Sequence, residues 1–226
     1  MTDAVMLFAA GFGTRMGALT KDRPKPLIAV NGTPLIEHAM TFVRDLPSPR
    51  VVANAHYFSE QIVDHFAGTD VQVSVEAPNI LDTGGGLKAA LPLLKSDVAF
   101  TMNTDAVWDG PNPLQVLKSA WSEGMHALLL CVPKNQTIGH TGRGDIDILA
   151  DGHAQWGTQT VFSGVQMIRT EIVSDTPQNV FSLKTVWEAL EAKGALHAVA
   201  YPGRWCDVGH PDGISLAEAM LGSADV

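Results

Sequence analysis

The stretch AAGFGTRMGALTKDRPKPL, residues 9–27, decides how this chain is read. It grows out of a continuous apolar run, AVMLFAA (residues 4–10), the pattern of a strand buried on both faces of a parallel sheet. Within it, Gly11, Gly13 and Gly17 fall inside seven positions, and Arg15, Lys21, Arg23 and Lys25 inside eleven. Those four cations are over a quarter of the 15 Lys and Arg of a chain whose net charge is -9. A glycine turn at the carboxyl end of a buried strand presents N–H groups that can cradle phosphate, and open α/β sheets bind ligands at those strand ends. Cationic charge gathered in one loop of an acidic protein points to a small anionic ligand and away from a nucleic-acid surface.

Outward from this loop, strand and helix patterns alternate. Residues 34–45 carry Leu35, Ile36, Ala39, Met40 and Val43 at helical spacing, with Pro34 at a favourable first position. A strand is expected over 50–54, a helix over 58–67 closed by Gly68, and a strand over 71–76. After Gly84, Gly85 and Gly86 comes a helix over 87–95, bent or shortened by Pro92, then a strand over 97–102. A helix over 112–123 and a buried strand over 126–132 follow. Between 133 and 170 the rhythm changes. Residues 145–149 alternate, Asp151-Gly152 signals a hairpin turn, and 160–168 reads as a strand, together an antiparallel excursion over one end of the sheet. A helix over 182–193, a strand over 196–201 and a helix over 211–221 complete the chain. The expected fold is one α/β domain, residues 1–226, with a mostly parallel central sheet and helices on both faces.

The common mononucleotide and dinucleotide motifs do not fit the loop. The Walker GKS/GKT ending is missing, and Gly11 and Gly13 are followed by Met16 where GxGxxG needs glycine. What remains is a glycine turn plus a lysine between two prolines, Pro24 and Pro26. Proline fixes its own φ and pushes the residue before it toward extended geometry, so a stiffly presented Lys25 is expected. Stiffness suits a catalytic cation, since misplacement costs rate.

At larger scale LFAAGFGTRMGALTKDRPKPLIAVNGTPLIEH (7–38) resembles the signature of the sugar-1-phosphate nucleotidyltransferases. Four later blocks resemble that family in the same order: LDTGGG (81–86), MNTD (102–105), FSGV (162–165) and WCDVGHP (205–211). The resemblance implies a single-domain nucleotide-diphospho-sugar transferase (Rossmann-like) fold. It implies the reaction of an NTP with a sugar-1-phosphate to give an NDP-sugar and pyrophosphate. Arg15 would hold the β and γ phosphates, and Lys25 would bridge the α-phosphate and the sugar phosphate. Backbone groups of Ala9, Ala10, Gly11 and Gly13 would pack on the nucleotide, with Lys21 and Arg23 as rim charges. Asp82, Thr83, Gly84 and Gly85 would face the base; a glycine-rich helix start capped by Thr83 is the other reading of that stretch. Asn103, Gly164 and Trp156 are candidates at the sugar end. Asp105, at the end of a strand, and Asp207 would share one Mg²⁺. Asp109, in WDGPNP, reads as turn chemistry.

Within the family, a compact chain without a hexapeptide-repeat domain and without Glu-Lys-Pro before Phe162-Ser163-Gly164 is most similar to the N-acetylmuramic acid-1-phosphate uridylyltransferases. UTP is the expected nucleotide. Mannose-1-phosphate guanylyltransferase or another hexose-1-phosphate nucleotidyltransferase, and a non-catalytic nucleotide-sugar-binding regulatory protein, are the competing readings. Arg15, Lys25, Asp105 and Asp207 together favour an enzyme over the regulatory protein.

Composition narrows the rest. Cys131 and Cys206 form no CxxC, eight histidines show no metal-ligand spacing, and a reduced cytoplasmic chain is expected. The opening MTDAVMLFAAG lacks a basic n-region, and no apolar run nears the ~20 residues of a membrane helix. Expected partners are small-molecule substrates, with no nucleic acid and no membrane, on a monomer or small homo-oligomer.

Overall fold

The computed structural model describes residues 3–223. Strand β1 (Ala4–Phe8) enters the glycine loop, which winds as a 3-10 segment over Thr14–Thr20. A short hairpin of β2 (Ala29–Val30) and β3 (Thr33–Pro34) leads into α1 (Leu35–Arg44). Then come β4 (Arg50–Ala55), α2 (Ser59–His65), β5 (Gln72–Val75), α3 (Asp82–Leu94) and β6 (Val98–Asn103). The second half holds β7 (Ala106–Asp109), α4 (Pro113–Ala120), β8 (Ala127–Pro133), β9 (Thr137–Ile138), β10 (Ile146–Ile148), β11 (Ala154–Trp156) and β12 (Thr160–Arg169). It ends with α5 (Thr170–Ser174), α6 (Leu183–Glu191), β13 (Leu196–Ala200), β14 (Arg204–Asp207) and α7 (Asp212–Gly222).

The central sheet runs β5-β4-β1-β6-β12-β8-β13, and β12 alone runs against the others. Alternation along β1 sorts its side chains into two cores. Val5 and Leu7 pack with Ile36, Met40, Ile62 and Leu114 from α1, α2 and α4. Ala4 and Met6 pack on the other face with Leu87, Leu94 and Val173, where Val186 and Leu190 of α6 complete the layer. Helices therefore cover both faces, as the unbroken apolar strands require.

Three differences from the sequence reading bear on the site. Strand β12 is not confined to the excursion. Its second half, Val165–Arg169, is wedged between β6 and β8, and its apolar residues are buried as in a central strand. The excursion is the β10–β11 pair, which joins β12 at Thr160. Helix α3 begins at Asp82, not at residue 87, so the three glycines lie inside it. Asp109 ends a strand, β7, and its carboxylate accepts from Arg204 Nε at 2.8 Å. That strand and β14 belong to a small separate sheet, β7-β14-β9, packed under α7.

Candidate active site

Parallel strands β1, β4 and β6 all end on one side of the sheet, and there a cavity of about 330 Å³ opens. Ala9, Ala10, Gly11, Gly13, Arg15 and Lys25 line it from the glycine loop. Asp82 and Thr83 line it from the start of α3, and Asn103, Thr104 and Asp105 from the end of β6. The walls are tied together: Thr104 Oγ1 donates to the Phe8 carbonyl at 2.8 Å.

Lys25 lines the cavity as the sequence suggests, but on a different backbone. Pro24 is extended, while Lys25–Leu27 form a 3-10 turn closed by Ile28 N–H to the Lys25 carbonyl at 3.0 Å. Pro26 fits because an early position in such a turn needs no N–H donor. The Lys25 side chain is only 10% exposed, and its Nζ donates to Asp105 Oδ2 at 2.9 Å. Gly13, at φ 62°, makes room for it. A Cβ there would lie 2.9 Å from both Lys25 Cβ and Thr20 Cγ2. Gly13→Ala is therefore expected to cost about 1–3 kcal/mol in urea unfolding and to lower turnover by displacing Lys25. A variant as stable and as active as the parent would show that this contact sets nothing.

The two acidic candidates, remote in sequence, are brought together by strand pairing. β7 and β14 are antiparallel, Ala106 opposite Asp207, and Val208 N–H donates to the Asp105 carbonyl at 2.9 Å. Gly209 lines the cavity beside them, its missing Cβ 3.0 Å from Arg15 Nη1 and from both Asp207 carboxylate oxygens. Arg15, Lys25, Asp105 and Asp207 thus form one constellation. Burial and the Asp105 charge hold the Asp207 carboxyl above the ordinary aspartate value, against the opposing pull of Lys25, Arg15 and His140. Among the described residues no group of three or more His, Cys, Asp or Glu gathers as a metal cage. Within the constellation of Arg15, Lys25, Asp105 and Asp207 the oxygen donors are these two carboxylates. Such a sparse, hard set suits Mg²⁺, which keeps waters and substrate phosphates among its ligands.

Other candidates fall elsewhere. Gly84 and Gly85 do not line the cavity. Their N–H groups donate to the Phe181 carbonyl at 2.9 and 3.1 Å, and Phe181 and Asn179 occupy the space a side chain would take. Thr83 does not cap α3 by accepting from it. Its Oγ1 accepts from Leu183 N–H at 3.0 Å, and Thr83 N–H donates to Asp82 Oδ1 at 2.6 Å. Gly164, at φ 83° in the irregularity between Phe162 and Val165, is pressed against the Asn103 side chain; Asn103 lines the cavity and Gly164 supports it from behind. Trp156 stands on β11, outside the cavity lining, with Lys184 Nζ 5.3 Å from its ring centroid. Burial and the Asp207 charge push the Cys206 thiol up to about 12, which fits a packing residue. Two buried polar cavity residues escape the sequence reading, Asn54 and Glu76, each 3% exposed. Their only signal is a polar residue at or near a strand end: Asn54 one residue before the end of β4, and Glu76 directly after β5.

A glycine loop, two cations and two carboxylates converging at parallel strand ends define an enzyme that handles nucleoside triphosphates. The chain belongs to the MobA-like NTP transferase domain family, which it matches over residues 5–193, and within it to the sugar-1-phosphate nucleotidyltransferases. It is 34% identical, over 97% of each chain, to the N-acetylmuramate alpha-1-phosphate uridylyltransferase of Caulobacter vibrioides. A protein of the same description from Neisseria meningitidis serogroup B is 29% identical over 96% of this chain and 98% of its own. The crystal structure of HddC from Yersinia pseudotuberculosis complexed with GMP-PN shares the fold, with a TM-score of 0.78 at 21% identity, over 97% of this chain and 100% of that one. Among the described residues no helix is long and apolar enough to cross a membrane.

Proposed function

We propose that this enzyme transfers a uridylyl group from UTP to N-acetylmuramic acid-1-phosphate, releasing pyrophosphate, as a cytoplasmic, Mg²⁺-dependent step of peptidoglycan recycling. The observation that carries the chemistry is the pairing of a nearly buried Lys25 with Asp105 at the mouth of the glycine loop. The relatives described as uridylyltransferases, matched over almost their full length, carry the choice of substrates.

The mechanism needs no nucleophilic side chain. A phosphate oxygen of the sugar-1-phosphate is anionic at neutral pH and forms the new bond to the α-phosphorus. The bond from that phosphorus to the β-phosphate oxygen breaks, and pyrophosphate leaves with the electron pair. Two anions must meet, so the protein's task is positive charge and alignment. Ala10, Gly11 and Gly13, which line the cavity, would meet the phosphates, while the Ala9 N–H is already taken by Asn54; Arg15 would hold the leaving β and γ phosphates. Lys25 sits between the α-phosphate and the incoming phosphate. A divalent cation on Asp105 and Asp207 would supply further positive charge against phosphate oxygens. Asp82 and Thr83 would meet the base and Asn103 the sugar; all three line the cavity.

Pyrophosphate release with Mg²⁺ should be measured for four NTPs crossed with the 1-phosphates of N-acetylmuramic acid, N-acetylglucosamine, glucose and mannose. Greatest kcat/KM for UTP with N-acetylmuramic acid-1-phosphate is expected. A preference for GTP with mannose-1-phosphate would replace this reading by a guanylyltransferase.

A further inference from the structure

Asn54 interrupts the buried apolar run of β4 one residue before its end, and Glu76 directly follows β5, the neighbouring strand. Both are buried against the cavity, and Glu76 has no cationic partner among the described residues. A buried carboxylate without a counter-ion weakens a fold unless hydrogen bonds satisfy it. Here they do, in one chain of fixed polarity. Ala9 N–H donates to Asn54 Oδ1 at 2.7 Å, Asn54 Nδ2 donates to Glu76 Oε1 at 2.7 Å, and Leu81 N–H donates to Glu76 Oε2 at 2.7 Å. Because the Ala9 amide is a donor, the Asn54 carboxamide must turn its oxygen to it and its nitrogen to residue 76. Residue 76 then faces two donors, and an acceptor-only group fits.

The same pair is clamped from a third side. A Cβ on Gly86 would lie 2.5 Å from Glu76 Oε1 and 2.8 Å from Asn54 Nδ2, so the first turns of α3 rest directly on the two side chains. The pair therefore touches the glycine loop, the entry to α3 and the helix itself. These segments line the same cavity, one carrying Gly11 and Gly13, the other Asp82 and Thr83.

We propose that Asn54 and Glu76 are a positioning dyad that fixes the spacing between the phosphate-facing loop and the base-facing start of α3, and so sets affinity for the NTP. The inference rests on the nucleotidyltransferase reading of the cavity. It separates the two substrates: the dyad adjoins the segments read as nucleotide-facing, while Asn103, read as sugar-facing, comes from β6 and is backed by Gly164 of β12.

The test exchanges the polarity of the chain. Glu76→Gln alone sets an amide donor against one of two donors. Asn54→Asp alone sets carboxylate against carboxylate. In the double variant the carboxylate at position 54 would accept from the Ala9 amide and from the carboxamide nitrogen at position 76. The carboxamide oxygen would accept from Leu81 N–H, so every bond is restored with the charge moved. Each single is expected to raise KM for UTP about tenfold or more and to leave KM for the sugar-1-phosphate within about twofold, with the double within about threefold of the parent. A merely structural pair would lower Tm without separating the two KM values. Equal movement of both KM values, or a double variant no better than the worse single, overturns the dyad. Should a single fail to fold, the double decides: near-parental KM for UTP supports the proposal, and loss of binding overturns it. A parent enzyme that binds UTP but releases no pyrophosphate with any sugar-1-phosphate would sink the catalytic reading; dissociation constants for UTP across the same variants still judge the dyad.

Discussion

Lys25→Ala is expected to lower kcat by about 10²–10³-fold while moving the NTP dissociation constant by no more than about threefold. The asymmetry follows from where the ammonium sits. Nζ is fixed at 2.9 Å from Asp105 Oδ2, on a side chain 10% exposed, at the start of a turn bracketed by two prolines. Such a group is already in position before substrate arrives, so little reorganisation is needed as charge builds at the transferring phosphorus. On the proposed reading the ground-state NTP has other partners in Arg15 and the loop, which line the cavity with Lys25, so its binding should survive the loss. Lys25→Arg should rescue poorly, because a planar, longer fork cannot place a point charge where Nζ meets Asp105 Oδ2 at 2.9 Å. Single-turnover kinetics with a calorimetric NTP titration check both halves. Parental kcat in Lys25→Ala would remove this residue from the mechanism, and a matched fall in affinity and kcat would make it a binding residue only.

How much of this arrangement is legible in the sequence depends on how local its causes are. The glycine loop can be read because strand, turn and cations are contiguous, residues 4–27. The two prolines rightly mark Lys25 as constrained but wrongly suggest an extended backbone, since they also suit a 3-10 turn once Pro24 alone is extended. Residues 84–86 look like loop because glycine is a poor helix former. They are helical because the Phe181 carbonyl takes the N–H groups of Gly84 and Gly85, and Phe181 and Asn179 fill the space above them, a cause remote in the chain. Asp109 shows the same limit. Its DGPNP context signals a turn, and only the pairing with β14 and Arg204 makes it a strand end. The meeting of Asp105 and Asp207 has no local signal at all. Resemblance alone links them in the sequence, and the β7–β14 ladder supplies the physical reason.

Those two carboxylates give the second large effect, and with opposite signs for one chemical change. Asp207→Asn is expected to lower kcat/KM about 10²-fold or more, yet to leave Tm of the ligand-free protein at pH 7 at or above that of the parent. Burial and Asp105 raise the Asp207 carboxyl in the folded state. The folded chain then holds that proton more tightly than the unfolded chain does. The resulting stability is fully present below the unfolded aspartate pKa and is lost as pH rises through the raised folded value. Above that window the Asp207 carboxyl is thus a burden on the empty fold, one that amide substitution removes; the advantage of the variant should shrink as pH falls through the window. Asp105→Asn differs because Asp105 is the partner of Lys25. Removing its charge leaves a nearly buried ammonium unpaired, so this variant should lose both activity and Tm. Mg²⁺ binding would relieve the repulsion between the two carboxylates, so adding it should raise Tm of the parent and not of Asp207→Asn. Thermal melts of the three proteins, with and without Mg²⁺ and across pH, decide the matter. An Asp207→Asn protein less stable than the parent at neutral pH, or one that responds to Mg²⁺ as the parent does, would break the link drawn between this carboxylate pair and the metal.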